Sequence, residues 1–105
     1  MDEVKIVWTT LARRERDAIF DYWNKRNKRN KSNHYSKKLN LIIYQKIDLL
    51  KSNPFIGIET DFKTYRILHF ENYGLVYRSE EELLYIISVW DNRQNPSKLK
   101  KLLGL

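Results

Sequence analysis

The chain has 105 residues, which suits one domain spanning 1–105 around one modest core. Hydrophobic residues make up 42% and charged residues 31%, a globular composition without low-complexity stretches. There is no cysteine, which excludes disulfides, thiolate catalysis and thiolate metal sites and suits a cytoplasmic setting. The first residues, Met1-Asp2-Glu3-Val4-Lys5, turn acidic at once and lack a signal-peptide pattern. The most apolar run, Leu83 to Trp90, is too short to span a bilayer, so no membrane partner is expected. The net charge of +7 and a pI near 9.7 favour a polyanionic partner: RNA, DNA or an acidic protein.

Val4 to Trp8 is rich in β-branched and aromatic residues and reads as a first strand. Thr9 or Thr10 can cap a helix, because a hydroxyl accepts from a free N–H of the first turn. Leu11, Ala12, Ile19, Tyr22 and Trp23 follow at helical spacing. The stretch Asn24 to Asn33 holds five basic residues and no acidic or apolar one, and reads as a loop. Ser32 or Asn33 is placed to cap a second helix. Its stripe is Tyr35, Leu39, Ile42, Ile43, Ile47 and Leu50, and Pro54 stops it. Two helices joined by a short polar connection are expected to be antiparallel.

After Pro54 the period changes. Phe55 to Asp61 reads as a loop. Thr64–Phe70, Tyr73–Arg78 and Leu83–Trp90 read as three strands, with turns near Asn72 and at Ser79-Glu80-Glu81. Such short connections make antiparallel neighbours. Pro96 is suited to begin a short final helix ending before Gly104. The expected fold class is therefore α+β in two layers: an N-terminal strand of open pairing, an α-helical hairpin, a three-stranded antiparallel meander and a short C-terminal helix. The helices cover one sheet face and the other is expected to stay open.

That open face and its rim are where function is sought. Arg66, Arg78 and Arg93 lie in or just after the strands, and Lys63 just before them. Guanidinium groups bind phosphates and carboxylates through paired hydrogen bonds and stay charged at neutral pH. Tyr65, Tyr73, Tyr77 and Tyr85 are interleaved with them. Exposed rings of this kind stack on unpaired bases, although alternate strand positions must face the helices, so most of the four are expected in the core. A two-residue turn after Phe70 places Arg66 opposite Tyr77; a three-residue turn places it opposite Arg78. Of the two histidines, His34 lies in basic surroundings where a solvated role is expected. His69, on a strand, is the candidate proton carrier, against a packing or surface role. No HExxH, paired His–carboxylate spacing, glycine-rich phosphate loop or GxSxG elbow occurs, so no metal or cofactor is expected. RNA cleavage by 2′-hydroxyl attack needs no metal, only a base, an acid and positive charge at the phosphate.

The order of elements, the segment Tyr65-Arg66-Ile67-Leu68, the strand Leu75-Val76-Tyr77 and the ending Val89-Trp90-Asp91-Asn92-Arg93-Gln94-Asn95-Pro96 resemble the RelE/ParE toxin superfamily over nearly the whole chain. The resemblance implies a RelE/ParE-like fold and the toxin half of a type II toxin–antitoxin pair. It also implies a cognate antitoxin partner, expected to be acidic, whose largely disordered segment folds as it binds. The superfamily splits between ribosome-dependent mRNA endonucleases and inhibitors of DNA gyrase. The nuclease pattern carries over poorly. Arg66 matches a basic position, but Leu68 stands where a second lysine is found, Gly74 where an arginine is common, and Asn92 where an arginine or histidine is common. The favoured expectation is thus a ParE-like toxin that binds gyrase or another protein target. Its target contacts would come from Lys63, Arg66, Tyr77, Arg78, Asn92 and Arg93. The alternatives are an mRNA interferase with a rearranged site of Arg66, His69, Arg78 and Arg93, or a non-toxic basic binding module.

Overall fold

A computed structural model describes residues 4–26, 34–60 and 64–103. The elements run β1 (Lys5–Trp8), α1 (Thr10–Arg26), α2 (His34–Ser52), β2 (Ile58–Glu59), β3 (Arg66–Phe70), β4 (Tyr73–Glu80), β5 (Leu83–Asp91) and α3 (Pro96–Leu102). The strands form one sheet in the order β1-β5-β4-β3-β2. The predicted meander is present as β3–β4–β5, both junctions antiparallel. One feature differs from the sequence reading, and one fills in a pairing that the sequence left open. The segment after Pro54 is not only a loop, since Ile58 and Glu59 pair with Ile67 and Arg66 as an edge strand. The first strand pairs parallel with β5, Lys5 opposite Leu83 through Trp8 opposite Ile86.

Both meander turns have two loop residues. Phe70 pairs with Tyr73 and Glu80 with Leu83, so the second turn is Glu81-Glu82 rather than Ser79-Glu80-Glu81. The first loop residue of each turn, Glu71 and Glu81, has φ near +50° (51° and 53°). That is a left-handed conformation in which glycine or asparagine is more at ease. The alternating apolar pattern of the strands fixes the register despite these unfavoured turn residues. Arg66 consequently lies opposite Tyr77.

The main core lies between the sheet and the helical hairpin. Ala12 of α1 and Leu39, Ile43, Ile47 and Leu50 of α2 meet Phe70, Tyr73, Leu75, Tyr77, Leu84, Ile86 and Val89. The α2 stripe is the one its three- and four-residue spacing predicts. On α1 the buried face is turned from the predicted one: Phe20 joins the core with Ile19 and Trp23, whereas Leu11 and Tyr22 are exposed. Trp23 Nε1 donates to the Tyr73 hydroxyl at 2.8 Å, which ties the last turn of α1 to the start of β4. The predicted caps Ser32 and Asn33 lie outside the described residues.

One junction joins β1, α1 and β5. The register of β4 against β5 shifts between Val76 and Tyr77, which leaves Ile87 as an extra residue on β5. Such a bulge strands backbone polar groups, and α1 satisfies them. The Thr9 hydroxyl lies 2.9 Å from the Ile86 carbonyl and 3.1 Å from that of Ile87, while accepting from Ala12 N–H as the helix cap. Two turns on, the Glu15 carboxylate accepts from the buried Ser88 hydroxyl at 2.8 Å and from Val89 N–H at 3.2 Å.

The second sheet face is not open. Val76, Trp90 and Leu103 form a smaller core there with Tyr65, Ile67, Ile87, Leu99 and Leu102, so α3 covers part of that face. The α3 start is conventional. Asn95 Oδ1 accepts from Ser97 N–H at 3.0 Å, and Pro96 occupies the first turn, where no N–H is needed. With residues on both sides of the sheet, the expected two-layer arrangement gains a partial third layer.

Candidate functional site

The candidate residues divide between the two ends of the sheet. Arg66 and Arg78 lie near the β4–β5 turn; His69, Asn92 and Arg93 lie near the β3–β4 turn. Arg78 lies five residue steps along the strand from Tyr73, roughly 17 Å at ordinary strand rise. The four residues named for a nuclease site therefore do not converge. Lys63 lies outside the described residues.

At the first end, Arg66 is occupied with its own chain. Its Nη1 donates to the Gly57 carbonyl at 2.8 Å and to that of Phe55 at 3.3 Å, and its Nη2 pairs with Glu59 at 2.9 Å. The guanidinium also lies over the Phe55 ring. Arg78 lies over Tyr85, with Nη2 3.4 Å from Glu80. Its Nε is buried and has no hydrogen-bond partner among the described residues. Together the two arginines line a cleft of about 390 Å³ with Pro54, Phe55, Ser79 and Glu80. The cleft is not a strongly cationic surface, because Glu59 and Glu80 answer its two arginines and Glu81 and Glu82 follow in the turn.

Tyr77, expected to touch a target, is fully buried. Its hydroxyl donates to the Pro54 carbonyl at 2.7 Å and accepts from Gly57 N–H at 2.9 Å. Burial pushes its phenol above the ordinary tyrosine range, against the lowering effect of the Gly57 N–H and the Arg66 charge. A Cβ at Gly57 would come within 2.6 Å of this hydroxyl, so the close approach requires glycine. Tyr77 is an anchor for the loop between α2 and β2.

At the second end, Arg93 is exposed and held by Asp91. Its Nε and Nη2 donate to the two carboxylate oxygens at 3.0 and 2.8 Å, and its backbone N–H donates to Oδ1 at 2.9 Å. A fork grip of this kind fixes both side chains. It lowers the Asp91 carboxyl from its ordinary range, chiefly through the Arg93 side-chain hydrogen bond, and raises Arg93 in turn. The outer edge of the guanidinium is left facing a cleft of about 480 Å³ between α1 and the end of β5, with Glu15, Ile19, Tyr22, Tyr73 and Val89 among its walls. Asn92 is exposed as well, but its side-chain amide is turned to its own chain. Its Nδ2 donates to the Tyr73 carbonyl at 3.0 Å and approaches His69 Nδ1 at 3.2 Å, so it braces the turn.

Sequence reasoning missed Glu15 and Asp91. Asp91 was signalled by its two-residue spacing from Arg93. Glu15 carried no signal, because its role depends on the bulge in β5. Burial raises the Glu15 carboxyl, outweighing the lowering by Ser88 and Val89 N–H. A raised folded-state value means stability that is fully present below pH about 4.5 and lost as pH rises through that raised value. Glu15→Gln keeps an acceptor for Val89 N–H and removes the titration. It is therefore expected to gain on the wild type as pH rises through that window, in urea unfolding at a series of pH values. Glu15→Ala leaves the buried donors unmet and is expected to lose about 1–3 kcal/mol at every pH.

Among the described residues, no group of three or more His, Asp or Glu side chains is placed to hold a metal ion, and no helix is long and apolar enough to cross a membrane. A family model described as "ParE toxin of type II toxin-antitoxin system, parDE" matches residues 6–96. Among solved structures, one titled "Chromosomal ParDE TA system from P. aeruginosa" is similar, with a TM-score of 0.69 at 18% identity. The match covers 85% of this chain and 96% of that one. No curated protein matches. The family-model match spans β1 to the first residue of α3, and so includes the bulge, the buried Tyr77 anchor and the Asp91–Arg93 fork.

Proposed function

This chain belongs to the ParE toxin family of type II toxin–antitoxin systems, and from that membership we propose that it arrests growth by binding a protein target, DNA gyrase, rather than by cutting messenger RNA. Membership also implies a cognate antitoxin as partner. The observation that carries the choice of target is the dispersal of the cationic residues. Metal-free cleavage of RNA needs a base, an acid and phosphate-binding charge all within hydrogen-bond reach of one phosphodiester. Here Arg66 and Arg78 stand at one end of the sheet, His69 and Arg93 at the other. Position 74 reinforces the reading. A Cβ there would lie 2.8 Å from the Ile67 side chain and 3.3 Å from His69 Nδ1. The place where related nucleases carry an arginine is therefore walled in.

Arg93 is the best-placed target contact: exposed, charged, and held in one geometry by Asp91 before any partner arrives. In a supercoiling assay, purified protein is expected to inhibit gyrase, and Arg93→Ala to weaken that inhibition by about ten-fold or more while leaving the fold intact. Full supercoiling at saturating protein removes gyrase as the target. New codon-phased breaks in messenger RNA from expressing cells would restore the nuclease reading.

A further inference from the structure

Resting on the target reading above, we infer that the cleft between α1 and the end of β5 receives one basic side chain of the protein target, a lysine or an arginine. Its charged head reaches the Glu15 carboxylate, and its stem lies along Ile19 and Tyr22. The cleft holds about 480 Å³, room for a long side chain and the backbone that carries it. Ile19, Tyr22 and Val89 give it apolar walls, and Tyr22 is 46% exposed. Lysine and arginine suit such a space, because the apolar stem packs on the walls while the cation stays with a polar partner. An exposed tyrosine ring adds attraction for a cation near its face.

Glu15 sets the charge of the occupant. Its hydrogen bonds from Ser88 and Val89 both fall on Oε1. Among the described residues Oε2 has no hydrogen-bond partner, yet it is not sealed from solvent. The other described acids are either exposed, as Glu71 and Glu81 are, or held by an arginine or lysine, as Glu59 and Asp91 are. Among the described residues, Glu15 alone is partly buried with no cation beside it, in a chain of net charge +7. A carboxylate kept partly from water loses hydration that a paired cation restores.

The chain does not supply that cation itself. The Arg93 guanidinium is committed to Asp91 through Nε and Nη2. Val89 and Asp91 stand two steps apart on β5, roughly 7 Å. The exposed fork therefore forms the rim of the cleft and Glu15 its base. A neutral pair at the rim and an anion at the base reject a carboxylate and select a cation. The outer edge of Arg93 remains for an acceptor of the same target.

The test measures gyrase inhibition in the supercoiling assay beside urea unfolding and antitoxin binding. Glu15→Gln keeps an acceptor for Val89 N–H and removes the charge. A purely structural role leaves inhibition by this variant unchanged. A cation site weakens it by about 10–100-fold while the urea midpoint at neutral pH stays level or rises. Ala18→Phe, at an exposed position on the same wall, fills the cleft without altering a partner of Glu15, and is expected to act in the same direction. The inference needs both losses. Wild-type inhibition by Glu15→Gln overturns it and leaves gyrase as the target; a loss in Ala18→Phe alone then shows an uncharged occupant. Wild-type inhibition by Ala18→Phe overturns it too, because the cleft is then empty in the inhibited complex. Loss of antitoxin binding by both variants, with inhibition intact, assigns the cleft to the antitoxin and likewise overturns it. Wild-type protein that leaves supercoiling untouched at saturation overturns both readings.

Discussion

Trp90→Ala is expected to lower stability by about 3–5 kcal/mol. Trp90 is 5% exposed and sits at the centre of the smaller core between the sheet and α3, against Val76 and Leu103. Truncation leaves a cavity, because β4 and β5 are held by their ladder and by the main core on the other face, and neither can collapse into it. The remaining α3 contacts come from a seven-residue helix, too short to persist unless packed. Two readouts are expected together: a lower urea midpoint, and faster amide exchange over Leu99–Leu103 than over β5. A loss below about 1 kcal/mol would show that α3 is not seated on the sheet.

Tyr77→Phe is expected to cost about 2–4 kcal/mol. The change removes one hydroxyl and leaves two groups unmet, the Gly57 N–H and the Pro54 carbonyl. An unsatisfied buried polar group costs more than the hydrogen bond it made was worth, and no space opens for water when only the hydroxyl is removed. This variant also separates two roles for the residue. As an anchor, Tyr77 governs stability, and inhibition by the folded fraction persists in the phenylalanine variant. As a target contact, it would govern inhibition at unchanged stability. Chemical denaturation beside the supercoiling assay distinguishes them.

The fold was legible where one period dominated. The α2 stripe and the alternating strands of the meander each state their buried face in the sequence, and α3 announces its start through Pro96. β2 was not legible, because two residues are too few for any alternation to show. The parallel pairing of β1 was not, because its partner lies across the whole chain. The site was legible only in part. Arg93 and its surroundings emerge from a local motif, whereas the anchoring role of Tyr77 depends on contacts with Pro54 and Gly57, far away in sequence. One extra residue, Ile87, exchanges the faces for everything beyond it on β5. The expectation of an open cationic face failed for a related reason. The final helix was read without a surface to pack on, and its leucines cover part of the sheet face assigned to function.

The link between the first strand and the last has a consequence for how the protein comes into being. Lys5 cannot find Leu83, nor Thr9 the Ile86 carbonyl, until about 80 further residues have been made. At about 5–20 residues per second, that is a wait of roughly 4–16 s on the ribosome. Until then the sheet lacks its first strand and α1 lacks the carbonyls that anchor its cap, so the fold is completed only after the last strand has been made.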